Sequence, residues 1–182
     1  VAVADDPSAI FWNPAGLTQM KGDEVSADYS SRYDNLMNEA RINYAWRGRK
    51  AMWGLGYTGS YIKDIPVTKS LTEADLSAIQ QGSFAPSSTD NRNIMNHGLL
   101  VSYSRPLTPE SPHYLGATVK FIYKDMLGMV RGYGTSVDLG YLWTSVGGDF
   151  RFGANMQNAA SITSYVGTID TLGVRATATE SY

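Results

Sequence analysis

LGATVKFIYK, the stretch from Leu115 to Lys124, alternates large apolar side chains with small or polar ones. Successive side chains of a β-strand point to opposite faces, so a period of two separates an apolar face from a polar one. Leu115, Val119 and Phe121 fall on the apolar face, and glycine, threonine and lysine lie between them. The stretch therefore predicts a strand, and the recurrence of its period along the chain predicts an all-β fold.

Comparable alternation predicts seven strands and a weaker eighth, over residues 24–33, 40–47, 51–61, 98–104, 115–124, 136–143, 150–157 and 168–182. Short connections such as 48–50 favour antiparallel hairpins. Longer connections are predicted at 124–134 and at 64–96, where prolines interrupt the pattern and a capping box from Ser70 to Glu73 favours a short helix. Alternation of short turns with long external loops is typical of outer-membrane barrels.

The composition narrows the class of protein further. The 182 residues include 12 Tyr, 4 Trp, 18 Gly and no Cys, and only 18% are charged, against about 25% in an average soluble domain. With a net charge of -2 and scattered basic residues, nucleic acid is not expected as a partner. No run of about 18 apolar residues occurs, which excludes a transmembrane helix from the sequence prediction but not a membrane-spanning strand.

The chemistry of the two strand faces favours a membrane barrel over a soluble one. The polar face carries mainly Gly, Ser, Thr and Asn, which suit a filled or watery lumen better than a solvent-facing exterior. Large aromatic residues sit near predicted strand ends, where membrane interfaces concentrate them: Trp46, Trp53, Tyr61, Tyr123 and Trp143. We therefore expect the apolar face to meet membrane lipid, and a soluble lipocalin-like carrier is the alternative.

The first 22 residues form a separate N-terminal segment, and 23–182 form the predicted sheet. Asp6 and Pro7 favour the start of a short helix that contains Phe11 and Trp12. Asn13-Pro14-Ala15-Gly16 predicts a turn that ends this helix, because the residue before a proline avoids the helical region and Gly16 can take a positive φ.

The residues from Val3 to Leu17, VADDPSAIFWNPAGL, resemble the N-terminal segment of FadL-like outer-membrane proteins, and especially that of their PorV/PorQ branch. Residues 120–123, 132–143 and 152–158 resemble the middle strands of that branch in order and spacing. The resemblance implies a transmembrane barrel of about 14 strands in the bacterial outer membrane. It also implies a hatch in the lumen, here formed by Phe11, Trp12, Asn13, Pro14, Ala15 and Gly16. Since the chain holds seven or eight predicted strands, we expect it to be a fragment of such a barrel.

The resemblance implies passive transport of hydrophobic compounds. The alternative within the family is a PorV-like component of a type IX protein secretion system, whose partners are secretion-system proteins rather than a hydrophobic small molecule. We do not expect an enzyme, a cofactor or a metal site. His97 and His113 are the only histidines, and no nucleophile elbow or paired-histidine motif accompanies them.

Four charged residues fall on the predicted polar face: Arg41, Lys120, Asp138 and Arg151. Lys120 and Asp138 lie on consecutive predicted strands, so an ion pair inside the lumen is one expectation and a contact from Lys120 to a ligand carboxylate is another. In the simpler interpretation, water and neighbouring charges satisfy all four.

Overall fold

A computed structural model describes residues 2–68, 77, 79–82, 89–169 and 174–181. Eight strands form one antiparallel sheet in which neighbours in sequence are neighbours in space. They are β1 (Glu24–Arg32), β2 (Met37–Arg47), β3 (Met52–Thr68), β4 (Thr89–Pro106), β5 (His113–Met126), β6 (Val130–Thr144), β7 (Arg151–Ile169) and β8 (Val174–Ser181). The predicted all-β class is confirmed. The sheet is open, because β1 and β8 are its two edges and do not pair with each other in the described part of the chain.

The N-terminal segment covers one face of this sheet, which we call the covered face, and leaves the other face, the open face, free. In β3, the buried residues Met52, Gly54 and Gly56 alternate with Trp53, Leu55 and Tyr57, whose exposed fractions are 39–44%. The predicted alternation is therefore confirmed there. The buried set, which is small apart from Met52, lies under the N-terminal segment, and the set of Trp53, Leu55 and Tyr57 lies on the open face.

The hydrophobic core lies between the N-terminal segment and the covered face. Ile10, Leu17 and Met20 of the segment pack with buried sheet residues, which are Ala45, Met52 and Leu100. Burial of a Leu, Ile or Met side chain contributes about 1.5–3 kcal/mol. Apolar burial therefore fixes the segment on the sheet, although that face is otherwise small and polar.

Two short helices make up the N-terminal segment, α1 (Ala9–Trp12) and a 3-10 helix (Pro14–Gln19). The N-cap position is Ser8 and not Asp6 as predicted, because the helix begins at Ala9. The Ser8 side chain makes no capping hydrogen bond, and the Asp6 carboxylate accepts from the Ser8 N–H at 2.7 Å. Residues 13–16 open the second helix and do not simply turn the chain. Gly16 does not take a positive φ. It is needed for space, since a Cβ there would overlap the carbonyl oxygen of Ala4.

Two predicted long connections are shorter in the structure. β3 and β4 pair as far as Thr68 and Thr89, so their connection is 69–88 and not 64–96. The register shifts after Ile62, where Asp64 has a φ of 58°, and this irregularity interrupts the alternation without ending the ladder. Most of the helix predicted from Ser70 to Gly82 lies outside the described residues. Within the part that is described, Ser77, Ile79 and Gln80 are helical, and the Gln81 N–H donates to the Ser77 carbonyl at 3.1 Å.

The predicted connection 124–134 is wrong, because β5 and β6 are joined by residues 127–129 alone. Leu127 and Gly128 take φ values of 62° and 68°, which suit a tight hairpin turn. The alternation of short and long connections therefore fails at this hairpin. Among the described residues, no helix has the length and apolar character needed to cross a membrane.

Candidate functional site

The N-terminal segment approaches the sheet most closely where the sheet has no side chains. Gly116 of β5 and Gly140 of β6 are direct partners in the ladder. A Cβ on Gly116 would overlap the backbone of Pro14 and Ala15, and a Cβ on Gly140 would overlap the amide oxygen of Asn13. Two more glycines make room in the same way, Gly54 beneath Ile10 and Gly153 beneath Ala2. Close backbone approach of this kind requires glycine.

Asn13 fastens the segment at this point. Its side chain is fully buried, and its Nδ2 donates to the carbonyl oxygens of Ala2 at 2.6 Å and of Tyr141 in β6 at 3.1 Å. Its Oδ1 accepts from the Ala15 N–H at 3.2 Å. The amide thus joins the start of the segment and its second helix to β6, and its buried polar atoms are satisfied as burial requires.

Three sheet side chains satisfy the last carbonyl groups of α1, which have no partner within so short a helix. Thr118 Oγ1 donates to the carbonyl of Ile10 at 3.1 Å, and Gln157 Nε2 donates to that of Phe11 at 3.0 Å. Asn155 Nδ2 donates to the carbonyl of Trp12. The covered face is therefore built to receive this helix end.

The Phe11 ring lies near two cations of the covered face. Arg41 Cζ is 4.8 Å from the ring centroid, and Lys120 Nζ is 5.9 Å from it. Trp12 meets Phe11 edge-on, with 5.0 Å between the ring centroids. A cation near an aromatic ring face contributes about 0.5–1 kcal/mol at an exposed site. Phe11 and Trp12, two of the predicted hatch residues, therefore lie at a charged part of the covered face.

Lys120 and Asp138, both predicted on the polar face, form an ion pair. Lys120 Nζ lies 2.6 Å from Asp138 Oδ2, and the Asp138 side chain is fully buried. Its Oδ1 accepts from the backbone N–H of Asn158 at 2.8 Å, at a bulge where the register between β6 and β7 shifts. Asn158 takes a φ of 55° there. The carboxylate thus joins the ion pair to the bulge.

The other two predicted charges also have partners. Arg41 lies 3.3 Å from Asp28 and 3.8 Å from Glu39. Arg151 lies 3.3 Å from Asp5 of the N-terminal segment, at an exposed position. All four charges therefore lie on the covered face beside or beneath the segment, and their contact with a ligand stays a prediction.

Aromatic residues form two bands across the open face. One band contains Trp53 and Tyr103, with 4.9 Å between their centroids. Tyr141 and Trp143 lie toward the same end of the sheet on β6, two and four positions beyond Leu139, which is in register with Tyr103. The other contains Tyr57, His97, Tyr123 and Tyr133, whose consecutive ring centroids lie 5.1–6.1 Å apart. Between them lie exposed aliphatic residues, which include Leu55, Leu99, Val101, Val119 and Leu139. Tyr61, expected near a strand end, lies inside β3, which runs on to Thr68.

A groove of about 570 Å³ lies beside the second band. Leu99, Phe121 and Tyr133 line it, and the Tyr57 hydroxyl and His97 Nδ1 meet at its rim at 2.7 Å. The groove does not border Phe11 or Trp12. Any ligand held there would be outside the covered face.

Comparison with known protein families, with curated proteins and with solved structures finds no match to this chain. The site must therefore be interpreted through its own geometry. Sequence patterns indicated Asn13 and the four charges but missed Thr118, Asn155, Gln157 and the facing pair Gly116 and Gly140. The one sequence signal that could have identified these five residues is that all of them lie on the polar face of three consecutive strands, β5 to β7.

Proposed function

We propose that this chain forms part of a FadL-like β-barrel in the bacterial outer membrane, with the N-terminal segment as a plug in its lumen. The observation that carries the proposal is the side of the sheet that the segment covers. A lipocalin-like barrel encloses its apolar face and exposes its polar one. Here the segment occupies the small, polar face and leaves the apolar face open.

The spacing of the aromatic bands supports the same proposal on β6, where the bands lie farthest apart; on β3, Trp53 and Tyr57 are four positions apart, which is about 14 Å. Tyr133 and Tyr141 belong to opposite bands and are eight positions apart in β6. A strand rises about 3.4 Å per residue, so the two positions lie about 27 Å apart along the strand. Outer-membrane barrels carry an apolar band about 25 Å tall between two aromatic girdles. At the strand tilt of about 35–45° that is typical of such barrels, 27 Å along a strand corresponds to a height of roughly 19–22 Å.

The function we propose is passive transport of hydrophobic compounds past the plug, without covalent chemistry. The N-terminal segment adds no strand to the sheet. Side-chain hydrogen bonds, glycine contacts and a small apolar core hold it. Contacts of this kind can rearrange without breaking the ladder. A solute that reaches the segment in place meets the rings of Phe11 and Trp12 beside Arg41 and Lys120, which suits an apolar compound with an acidic end.

Cysteine labelling tests the membrane position, because the chain contains no cysteine. Leu99→Cys and Val119→Cys place single thiols on the open face, and Val146→Cys places one in the fully exposed turn between β6 and β7. In isolated outer-membrane fragments, we expect a membrane-impermeant maleimide to label the turn and to spare the open face. All three variants should react after denaturation in SDS. Equal labelling of the three positions in the folded protein would contradict the proposal.

Mass spectrometry of the purified full-length gene product tests the transport function. We expect a co-purified apolar ligand whose occupancy falls when Phe11 and Trp12 are replaced by alanine. In the PorV-like alternative, a secreted protein binds the connection 69–88, which is the longest in the sheet. The alanine variants would then bind that secreted protein as strongly as the wild type does. A bound protein and no apolar ligand would replace transport by secretion as the function.

A further inference from the structure

A second cavity, with polar and charged side chains in its wall, lies at the end of the sheet where β2 turns into β3. Its volume is about 180 Å³, and it opens between that turn and the end of the N-terminal segment. Arg47, Arg49 and Lys50 line it, together with Thr18, Ser104 and Tyr114. It is separate from the charges around Phe11, which lie farther along the covered face.

The cations of this cavity are only partly compensated. Arg47 Nη2 donates to the carbonyl of Met20 at 2.6 Å, and its backbone N–H donates to Asp23 Oδ1 at 2.9 Å. Neither Arg49 nor Lys50 forms an ion pair with any residue that the structure describes. Among the described hydrogen bonds and ion pairs, Asp23 is the one carboxylate bonded to any of these three residues, so the cavity carries a positive potential.

A buried hydroxyl completes the cavity wall. Ser104 is fully buried between Met52 and Gly116 in the ladder, and its Oγ has no hydrogen-bond partner in the described residues. An unsatisfied buried polar group is rare, because it loses its hydrogen bonds to water without replacement. A ligand with acceptor oxygens would supply the missing partner.

We propose that this cavity binds a phosphate-type oxyanion, either free or as the head group of an anionic phospholipid. Guanidinium groups donate paired hydrogen bonds to phosphate, an ammonium adds charge, and a serine hydroxyl adds a further donor. The volume equals about six water molecules at roughly 30 Å³ each, which is enough for a phosphate group and too small for a large solute. Binding of free phosphate does not depend on the transport function.

Isothermal titration of the full-length gene product tests the proposal. The ligands are inorganic phosphate and, separately, detergent micelles containing phosphatidic acid, with diacylglycerol micelles as the neutral control. Saturable binding of phosphate identifies a free anion as sufficient, and binding of phosphatidic acid alone identifies the lipid head group. Both results support an oxyanion site. Failure of the wild type to bind either ligand overturns it.

Variants locate the binding. Loss of two charge-assisted contacts in Arg49→Gln/Lys50→Gln should weaken affinity by at least about tenfold, and Ser104→Ala should weaken it by a smaller factor. The matched control, Arg32→Gln/Lys63→Gln, removes two positive charges near the opposite turn, between β1 and β2. An equal loss of affinity in this control would show non-specific charge attraction and overturn the site. The four charged side chains replaced in these two double variants are exposed or half-buried, so folding is preserved.

Discussion

At the residue scale, the fit of the N-terminal segment on the covered face depends on missing side chains as much as on side-chain contacts. Gly116 and Gly140 create the depression in which Asn13, Pro14 and Ala15 lie, and the Asn13 amide then reaches the carbonyl of Tyr141. A larger residue at either glycine would hold the segment away from the sheet. The buried amide would then lose partners, which costs about 1–3 kcal/mol for each unsatisfied group.

Gly140→Ala tests this dependence. In a strand, alanine is normally favoured over glycine, but here the added methyl group would overlap Asn13 Oδ1. We expect the free energy of unfolding to fall by about 1–3 kcal/mol, as for other overpacked sites. Trypsin should also cleave faster after the exposed Lys21, at the end of the N-terminal segment. Gly22→Ala is the control, since its Cβ meets open space; equal effects of both substitutions would refute the role of Gly140.

Asn13→Asp removes both donors of the amide and buries a charge. We expect a loss of about 2–4 kcal/mol in the free energy of unfolding, because two carbonyl acceptors lose their partner and a carboxylate replaces a neutral group. Urea unfolding followed by tryptophan fluorescence measures the loss. Asn91→Asp makes the same chemical change at an exposed position and should shift stability by less than about 0.5 kcal/mol. A loss of that small size in the Asn13 variant would show that the amide does not anchor the segment.

At the element scale, Asp138 holds three strands in place through its ion pair with Lys120 and its hydrogen bond to the Asn158 bulge. Asp138→Asn leaves the Lys120 ammonium without its partner, and we expect a loss of about 3 kcal/mol. Asp5→Asn breaks the exposed pair with Arg151 and should cost less than about 1 kcal/mol. Chemical denaturation compares the two, and combining Asp138→Asn with Lys120→Met should recover part of the loss. Equal losses would mean that burial of the pair is unimportant.

Strand centres could be predicted from the sequence because burial of one face enforces a two-residue period. Strand ends could not, because pairing continues through residues that do not alternate. Pro66 pairs with Asn91 beyond the irregularity at Asp64, and Leu127 closes a hairpin from a left-handed conformation that leucine rarely adopts. The hydrogen bonds from Thr118 and Gln157 to α1 depend on the position of a segment more than 100 residues away, which local patterns do not encode.

At the scale of the whole molecule, the two faces of the sheet differ in chemistry and in cover. The N-terminal segment covers the polar face with a small apolar core, whereas a broad apolar surface stays exposed on the other side. The edges β1 and β8 likewise leave backbone groups unpaired in the described sheet. Exposed apolar surface and open edges together favour a further partner, and in the proposed barrel lipid and additional strands supply it.

Val119→Arg distinguishes lipid from water as the environment of the open face. Val119 lies midway between the positions of Leu115 and Tyr123 on β5, and its side chain is exposed. An arginine at the bilayer midplane costs about 2–4 kcal/mol in a barrel, so we expect less protein to assemble in the outer membrane. Heat-dependent mobility in SDS gels measures the assembled fraction. The control is Val146→Arg, which makes the same substitution in the exposed turn and not on the open face, and it should assemble as the wild type does. If the face met water, an added charge at Val119 would instead be neutral or improve solubility, and normal assembly of this variant would argue against a lipid-facing surface.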